Sequence, residues 1–471
     1  MNANTDLAGK VNELGDGLVA DLMKLVEIPS VYDPSNIKPV QDAAKKCVGL
    51  LKGTGITDVE QKHIGDAQKN APLVYATCGP SKGPTVLLYA HYDVVPAGDW
   101  ANAFKPEKKK MPDGRTRVFG RGAADDKSGV MMHVGALRAF DGKPPVNLKI
   151  VIEGEEESGG TLEEYVRKNP DLFKADVLVI ADTGNHKLGE PTFTTSLRGV
   201  VAADVTVSTL QSPVHSGVFG GPPPDAFMTL VRMLAQLHDD AGDVAIPDLV
   251  RQHWQGREPD EQEFRTQAGV KPGVRLIGTD TLGSRLYTRP SVNVVGLDGP
   301  PPTGKSINRL QPTATARVSV RIAPLETPQD AIARLQQFLE GPALNPWNAC
   351  VTVQPVPGAV GAGFQADTTR PGYAVAKKAM EHAYPGKQTV FTGVGGAIPL
   401  VTELQKVNQD ATLLLLGCEE PLCRIHSAPE SVDVGELEAM TLAECYLLYF
   451  LAHPESAETE TLAPTAVPVS P

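Results

Sequence analysis

Short apolar runs alternate with longer segments of helical spacing in both halves of the chain. The apolar runs lie at 85–93, 147–157, 176–184 and 411–420, and each ends in polar or charged residues. Apolar residues at helical spacing occupy 15–29, 39–52 and 126–140. Strands and helices in this order predict an α/β fold built on a mostly parallel sheet. Sites on such sheets form at the carboxyl ends of the strands, where the charged residues lie here.

The middle of the chain follows a different pattern. Apolar and polar residues alternate, as in half-exposed strands, over 200–208, 291–297, 314–323 and 349–356. Amphipathic helices are predicted at 225–239 and 328–340, whereas 240–290 is irregular and polar in pattern. The order strand, helix, strand, strand, helix, strand predicts a smaller antiparallel α+β domain of the ferredoxin-like kind, inserted in the larger one.

These two patterns divide the chain into four segments. The larger domain comprises 1–199 and 361–455, the inserted domain comprises 200–360, and a tail comprises 456–471. The tail is poor in large apolar residues and rich in proline and polar residues, so we expect it to be disordered.

Composition narrows the classes of protein. The 471 residues carry a net charge of −12, which argues against nucleic acid or an anionic membrane as a main partner. No apolar run reaches the ~18–20 residues of a membrane helix, and the first residues lack the pattern of a secretory signal. The six cysteines are spread thinly, as in proteins that keep them reduced. We therefore expect a soluble, cytoplasmic protein.

Five segments place possible metal-binding side chains near the ends of predicted elements. They contain His91 with Asp93, Asp125, the acidic run Glu153–Glu157, Asp182, and His426. Each segment alone has an ordinary explanation, such as a surface histidine, a helix cap, a solvated acidic loop or a turn residue. Together, two histidines and several carboxylates form a ligand set suited to zinc or manganese.

The ligands can be divided between two divalent ions. One ion would take His91 and Asp182, the other would take Glu157 and His426, and Asp125 would bridge both. Three ligand carboxylates and a bridging hydroxide would then balance the charge of two divalent ions. Asp93 lies two residues after His91 on the same side of the strand, where it can fix the tautomer of the ring. Glu156 is left over beside a ligand, as a base for the water proton.

Seven motifs between 90 and 431 point to a known family. They are AHYDVVPAG (90–98), GRGAADDKSG (120–129), EGEEESGG (153–160), VIADTG (179–184), HSGVFGGP (215–222), GGAIP (395–399) and IHSAPES (425–431). The sequence resembles, in the same order of motifs, the di-metal peptidases that include carnosinase, carboxypeptidase G and succinyl-diaminopimelate desuccinylase. HSGVFGGP and the polar insertion are similar to the carnosinase-like dipeptidase branch.

The resemblance implies an α/β catalytic domain with an inserted lid and dimerisation domain. It implies two divalent ions, zinc first with manganese or cobalt as alternatives, on the ligands assigned above. It also implies that Glu156 is the general base, that Asp93 orients the first histidine, and that the peptide bond Asp125–Asp126 is cis.

The resemblance assigns further roles to residues of the inserted domain and of a glycine-containing loop. His215 matches a lid histidine that reaches into the active site of a partner subunit and stabilises the oxyanion, which implies a homodimer. Arg321 matches a lid arginine that holds the substrate carboxylate, and Asn293 matches a substrate contact. Gly395 and Gly396 match a loop that passes close to the substrate backbone.

The implied function is metal-dependent hydrolysis of dipeptides, or of short peptides with a free C-terminal carboxylate, by a water between the ions. The chain departs from the family pattern just before the glycine loop. Many relatives have an Arg-Glu pair where this chain has Gly393 and Val394, which leaves room for an N-acyl amino acid as substrate. An N-acyl-amino-acid amidohydrolase is therefore the alternative, and a non-catalytic relative that binds metal or peptide is a more remote one.

One further match, to a nucleotide-binding motif, would suggest a different function, and we reject it. Residues 299–306 (GPPPTGKS) fit the phosphate-loop pattern G-x-x-x-x-G-K-S. Three prolines remove backbone N–H donors that such a loop needs, and the residues that follow are predicted as loop and strand instead of a helix. A nucleotide-dependent ligase or kinase is therefore disfavoured.

Overall fold

The computed structural model describes residues 3–345 and 347–459. The helices in this part of the chain are α1 (Ala3–Val26), α2 (Lys38–Lys52), α3 (Lys127–Ala139), α4 (Leu162–Lys168), α5 (Pro170–Phe173), α6 (Ser216–Phe219), α7 (Ala226–Ala235), α8 (Glu261–Gln267), α9 (Pro328–Glu340), α10 (Pro371–Ala383), α11 (Pro399–Val407), α12 (Val434–Ala452) and α13 (Pro454–Thr459). Among these described helices, none is both long and apolar enough to cross a membrane.

The strands complete the description of the secondary structure. They are β1 (Asp58–Lys62), β2 (Leu73–Cys78), β3 (Thr85–His91), β4 (Glu107–Lys110), β5 (Thr116–Phe119), β6 (Asn147–Glu153), β7 (Val177–Ile180), β8 (Thr192–Leu197), β9 (Gly199–Ser208), β10 (Val214–His215), β11 (Ser291–Asp298), β12 (Arg309–Leu310), β13 (Thr313–Ile322), β14 (Cys350–Gly361), β15 (Phe364–Gln365), β16 (Val390–Val394), β17 (Thr412–Leu415) and β18 (Ser431–Asp433). After the phosphate-loop-like residues 299–306 the chain continues into strands β12 and β13, so the helix that a phosphate loop requires does not follow.

The chain forms two compact units. The first comprises the described residues up to Thr195, Ala366–Thr392, and those from Glu403 onward. The second comprises Ser196–Gln365 and Gly393–Thr402. The predicted insert at 200–360 lies within the second unit, but 393–402, which the sequence pattern assigns to 361–455, also groups with the second unit. Of the predicted disordered tail, 456–459 are helical in α13, and 460–471 lie outside the described residues.

The sheet of the first unit is mixed. Its strands run in the order β1-β2-β6-β3-β7-β17-β8. The central strands β6, β3, β7 and β17 are parallel, and the strands on either side of them pair antiparallel. The predicted parallel arrangement therefore holds for the centre of the sheet. Helices α1, α3, α10 and α12 contribute to the same apolar core as these strands, which explains why the central strands are continuously apolar.

The second unit confirms the ferredoxin-like topology. Its sheet runs in the order β11-β13-β9-β14 with every neighbouring pair antiparallel. Helices α7 and α9 pack on one face, where Leu230 and Leu335 join Val205 and Val318 in a buried cluster. The insertion at 240–290 is more ordered than predicted, because it contains helix α8 and a π-helical turn, and Trp254 is buried within it.

Candidate metal centre

The predicted ligands lie in the first unit, at the carboxyl edge of its parallel strands. His91 is the last residue of β3, and Asp182 follows β7 by two residues. Glu157 lies in a 3₁₀ turn just after β6, Asp125 precedes α3, and His426 lies in the loop after β17. The edge therefore collects side chains that are distant in the sequence, as expected for a parallel sheet.

Asp125 connects the two histidines. Its Oδ1 lies 3.1 Å from Nε2 of His91, and its Oδ2 lies 3.0 Å from Nε2 of His426. Oδ1 of Asp182 lies 3.6 Å from Nε2 of His91, and Oε2 of Glu157 lies 3.1 Å from Nε2 of His426. The five residues therefore form two groups that share one aspartate.

The donor atoms fit divalent ions. Around a tetrahedral zinc ion with bonds of about 2.0–2.2 Å, neighbouring ligand atoms are about 3.3 Å apart, which is close to the separations around Asp125. The ligand atoms of Asp125, Glu157 and His426 all lie within 4.8 Å of one another. In addition, Nε2 of His91 is buried and has no hydrogen-bond partner in the described part of the chain. A metal ion would satisfy this nitrogen.

The electrostatics of the site favour positive charge. Burial lowers the pKa of His91, but the nearby carboxylates of Asp125, Asp182 and Asp93 outweigh it and raise the pKa well above its ordinary value. Hydrogen bonds to Asp125 and Glu157 raise the pKa of His426 to about 10. Burial raises the pKa of Asp125, but the two histidines lower it by more, so the net shift is downward. The negative field that holds protons on the imidazoles would equally attract divalent cations.

Glu156 lies beside His91 and Asp182, but it is not grouped with the shared Asp125. Its carboxylate groups with His91 and Asp182, with all three ligand atoms within 4.8 Å of one another. Burial raises the pKa of Glu156, and the carboxylates of Asp182 and Asp93 raise it further. A carboxylate with a raised pKa beside these candidate ligands has the properties of a general base.

Asp93 holds several of these residues in place. It is completely buried, and its Oδ1 lies 3.4 Å from Nδ1 of His91. The same carboxylate accepts the backbone N–H groups of Glu156 at 3.2 Å and of Glu157 at 3.1 Å. Nδ1 of His91 also donates to the backbone carbonyl of Asp93 at 3.2 Å, so Asp93 contacts both the histidine at the end of β3 and the acidic turn after β6.

The loop that carries Asp125 has the predicted cis peptide bond. The bond Asp125–Asp126 is cis, as the family resemblance implies. The Asp126 carboxylate accepts the backbone N–H groups of His91 and Gly129, each at 3.1 Å, and so caps α3 and contacts the end of β3. The loop is therefore tied to the strand that carries the first histidine.

The loop that carries His426 is held by a buried arginine. Arg117 pairs with Glu420 and donates from Nε to the Ser431 hydroxyl at 2.9 Å, so it contacts both ends of the loop. Arg424 and His426 have φ values of 55° and 57°, in the left-handed region. The side chain of His426 is 56% exposed, which leaves this part of the site open to solvent.

The remaining predicted residues lie in the second unit. His215 ends β10 and its exposed ring accepts the Gly217 N–H on Nδ1 at 3.0 Å. Arg321 on β13 lies opposite Ser291 of β11, and Asn293 is exposed on β11 opposite Ser319. At Gly395 a Cβ atom would lie 2.8 Å from Nη2 of Arg198, whereas at Gly396 its nearest neighbour would be 3.7 Å away. A side chain at Gly395 would therefore have to displace the end of the Arg198 side chain, whereas Gly396 has room for one.

Sequence reasoning missed three charged residues. Glu419 lies beside Asp125 and Asp182, and Glu430 accepts hydrogen bonds from the loop that carries Asp125. Arg198 is 8% exposed, its Nε is buried without a hydrogen-bond partner in the described residues, and burial together with Arg321 lowers its pKa to about 10. Of these three residues, only Arg198 had a signal in the sequence, because it is a charged residue directly before strand β9. The structure adds that it is buried beside Arg321.

Imidazoles and carboxylates grouped around a shared aspartate define a site for metal-assisted hydrolysis. The model of peptidase family M20/M25/M40 matches residues 87–449 of the chain. A cysteinylglycine-S-conjugate dipeptidase of Corynebacterium striatum is 35% identical over 439 residues, covering 90% of this chain and 94% of that protein. A Cys-Gly metallodipeptidase of Saccharomyces cerevisiae is 26% identical over 489 residues, covering 96% of this chain and 99% of that protein. The crystal structure of human carnosine dipeptidase 1 has a TM-score of 0.75 at 22% identity, covering 96% of this chain and 99% of that chain.

The chain belongs to peptidase family M20/M25/M40. It is a metal-dependent peptidase, and its relatives place it in the carnosinase-like dipeptidase branch, which confirms the resemblance drawn from the motifs. The comparisons give no support to the N-acyl-amino-acid amidohydrolase alternative.

Proposed function

We propose that the protein hydrolyses the peptide bond of dipeptides, and of short peptides with a free C-terminal carboxylate, with two divalent ions. The proposal is carried by Asp125, whose two carboxylate oxygens face different histidines. His91 and Asp182 would hold one ion, and Glu157 and His426 would hold the other. We propose zinc first, with manganese or cobalt as alternatives, because imidazole and carboxylate ligands suit all three.

When bound, the ions would polarise the scissile carbonyl and lower the pKa of a water molecule at the site. Glu156 takes the proton from that water and gives it to the leaving amine. Burial and the neighbouring carboxylates support this role, because they raise the pKa of Glu156 and so let it hold a proton. Asp93 would hold His91 through its backbone carbonyl, which accepts from Nδ1, and the backbone of Glu156 through its carboxylate.

The second unit supplies the residues proposed for substrate recognition. Arg321 would hold the substrate carboxylate, and Asn293 and the loop at Gly395–Gly396 would contact the substrate. His215 would stabilise the oxyanion in a partner subunit of a homodimer. Its Nδ1 accepts a backbone N–H, so the neutral ring carries its proton on Nε2 and presents that nitrogen as a donor.

The relatives suggest which dipeptides to test. Their names specify Cys-Gly, cysteinylglycine S-conjugates and the β-Ala-His dipeptide. We propose that this chain acts on dipeptides of this kind. We also propose a cytoplasmic location, which the free state of all six cysteines supports.

A substrate panel on the purified protein tests the proposal. The protein is stripped with a chelator, reloaded with zinc, manganese or cobalt, and assayed on these dipeptides, on their C-terminal amides, and on N-acetyl and N-succinyl amino acids. We expect metal-dependent turnover of free dipeptides and no effect of ATP. Turnover restricted to the acylated amino acids would assign the protein as a deacylase instead, and full activity without metal would overturn the proposal.

A further inference from the structure

Glu419 lies beside the proposed ion position of His91 and Asp182, although no family motif contains it. Its carboxylate oxygen and those of Asp125 and Asp182 all lie within 4.8 Å of one another. Glu419 follows β17 by four residues, so it reaches the site from a different strand than the other two carboxylates.

The backbone fixes this position. The carbonyl of Glu419 accepts the N–H of Asn185 at 2.8 Å, and Glu419 pairs with Gly184 in an isolated parallel β-bridge. A Cβ atom at Gly184 would lie only 2.1 Å from the Glu419 carbonyl oxygen, so only glycine permits this approach. The segment after β17 is therefore held against the segment that follows Asp182.

No cation of the described residues pairs with Glu419. Its Oε1 is buried and has no hydrogen-bond partner in the described part of the chain. The fully buried His91 has an unpartnered Nε2 that is directed at Asp125 and Asp182 in the same cluster. A buried carboxylate beside two others is strongly unfavourable unless positive charge opposes it, and a divalent ion supplies that charge.

We propose that Glu419 is an additional ligand of the ion held by His91, Asp182 and Asp125. This inference rests on the proposed two-ion function. It makes the two ion positions unequal, because the first has one carboxylate more than the position formed by Glu157 and His426. The first is also enclosed, since the His91 side chain is 0% exposed and that of His426 is 56% exposed. A chelator should therefore remove the ion at His426 first.

The substitution Glu419→Gln tests the inference by metal binding and not only by activity. It removes one negative charge with little change in shape. We expect the affinity for the more tightly bound zinc ion to fall about ten- to hundredfold in chelator competition, while the weaker ion binds as before. We also expect the melting temperature of the metal-free protein to stay the same or rise, because the variant removes repulsion from Asp125 and Asp182.

A buried carboxylate of the second unit provides a control. Glu326 is buried but paired with Arg334, so Glu326→Gln should lower the melting temperature of the metal-free protein and leave both zinc affinities close to those of the wild type. If Glu419→Gln behaves like this control, with reduced stability and unchanged zinc affinities, Glu419 is structural and the inference is wrong.

The wild-type protein separates this inference from the proposed function. If the wild type binds no stoichiometric metal, the two-ion function itself fails. If it binds two ions and Glu419→Gln binds both equally well, only the role of Glu419 fails. Should the variant not fold, an anomalous-scattering crystal structure of the zinc-loaded wild type decides the question. A Glu419 oxygen about 2.0–2.2 Å from an ion supports the inference, and a carboxylate bound to neither ion overturns it.

Discussion

The carboxylate of Glu430 accepts the backbone N–H of Asp125 at 3.2 Å. It also accepts the backbone N–H groups of Ala124 and Gly122, each at 3.0 Å, and pairs with Nη1 of Arg121 at 2.7 Å. Glu430 lies four residues after His426. One fully buried side chain therefore joins the loop of the shared aspartate to the loop of the second histidine.

The substitution Glu430→Gln should weaken metal binding and stability together. An amide places an NH₂ group against donors, so at least one buried N–H loses its acceptor, at a cost of about 1–3 kcal/mol. We expect a lower melting temperature of the metal-free protein and about tenfold weaker zinc binding. Glu60→Gln, at an exposed site on β1, is the control and should change neither quantity. Wild-type zinc affinity in Glu430→Gln would contradict a positioning role for Glu430.

The substitution Glu156→Gln should greatly lower the rate of hydrolysis and leave metal binding unchanged. Loss of a general base lowers kcat by about 10²–10⁴-fold. Elemental analysis should still find the metal content of the wild type, because Glu156 is not among the proposed ligands. Glu155 provides a control in the same turn: it accepts the backbone N–H of Thr161 at 3.2 Å, so Glu155→Gln should affect stability more than kcat. Retained hydrolysis in Glu156→Gln would remove the base assignment.

The strand-end residues could be predicted because each is unusual where it occurs. His91 and Asp182 follow runs of buried apolar residues, and a charged side chain there has few structural reasons to exist. The ferredoxin-like topology could also be predicted, because alternation marks half-exposed strands such as β9 and β13. Strand β4 could not, because Glu107–Lys110 is exposed along its whole length and has no apolar side to reveal it.

Glu419 and Glu430 escaped prediction for a related physical reason. Their significance depends on which backbone groups approach them in the folded chain. Glu419 reaches its place because Gly184 allows a close approach of two loops, and Glu430 acts by accepting backbone N–H groups, which every residue carries. Both contacts involve backbone groups, so the pattern of side chains along the sequence does not predict them.

The substitution Arg321→Gln should weaken recognition of the substrate carboxylate. A hydrogen bond to a charged group contributes about 1.5–3 kcal/mol, so kcat/KM on a free dipeptide should fall about ten- to hundredfold. Activity on the matching dipeptide amide should change little. Arg317, on the same strand, is exposed and paired with Asp204, and Arg317→Gln should leave activity on both substrates nearly unaffected. Equal losses on the acid and the amide would argue against carboxylate recognition by Arg321.

The buried pair of His133 and Glu444 should make stability depend on pH. The ring of His133 contacts two acceptors, Oε2 of Glu444 at 2.8 Å and the carbonyl of Tyr89 at 3.1 Å, so the doubly protonated imidazolium satisfies both. Burial lowers the pKa of His133, but the charge and hydrogen bond of Glu444 raise it more, and the net shift is upward from 6.5.

Because the pKa of His133 is higher in the folded than in the unfolded chain, its contribution to stability is complete below pH about 6.5. That contribution is lost as the pH rises through the higher folded value. We expect the difference in melting temperature between the wild type and His133→Gln, measured in the metal-free protein, to be largest in mild acid and to shrink in alkali. His63→Gln is the control and should show no such trend, because His63 is exposed. A difference that grows with pH would mean that the buried ring is neutral in the folded protein.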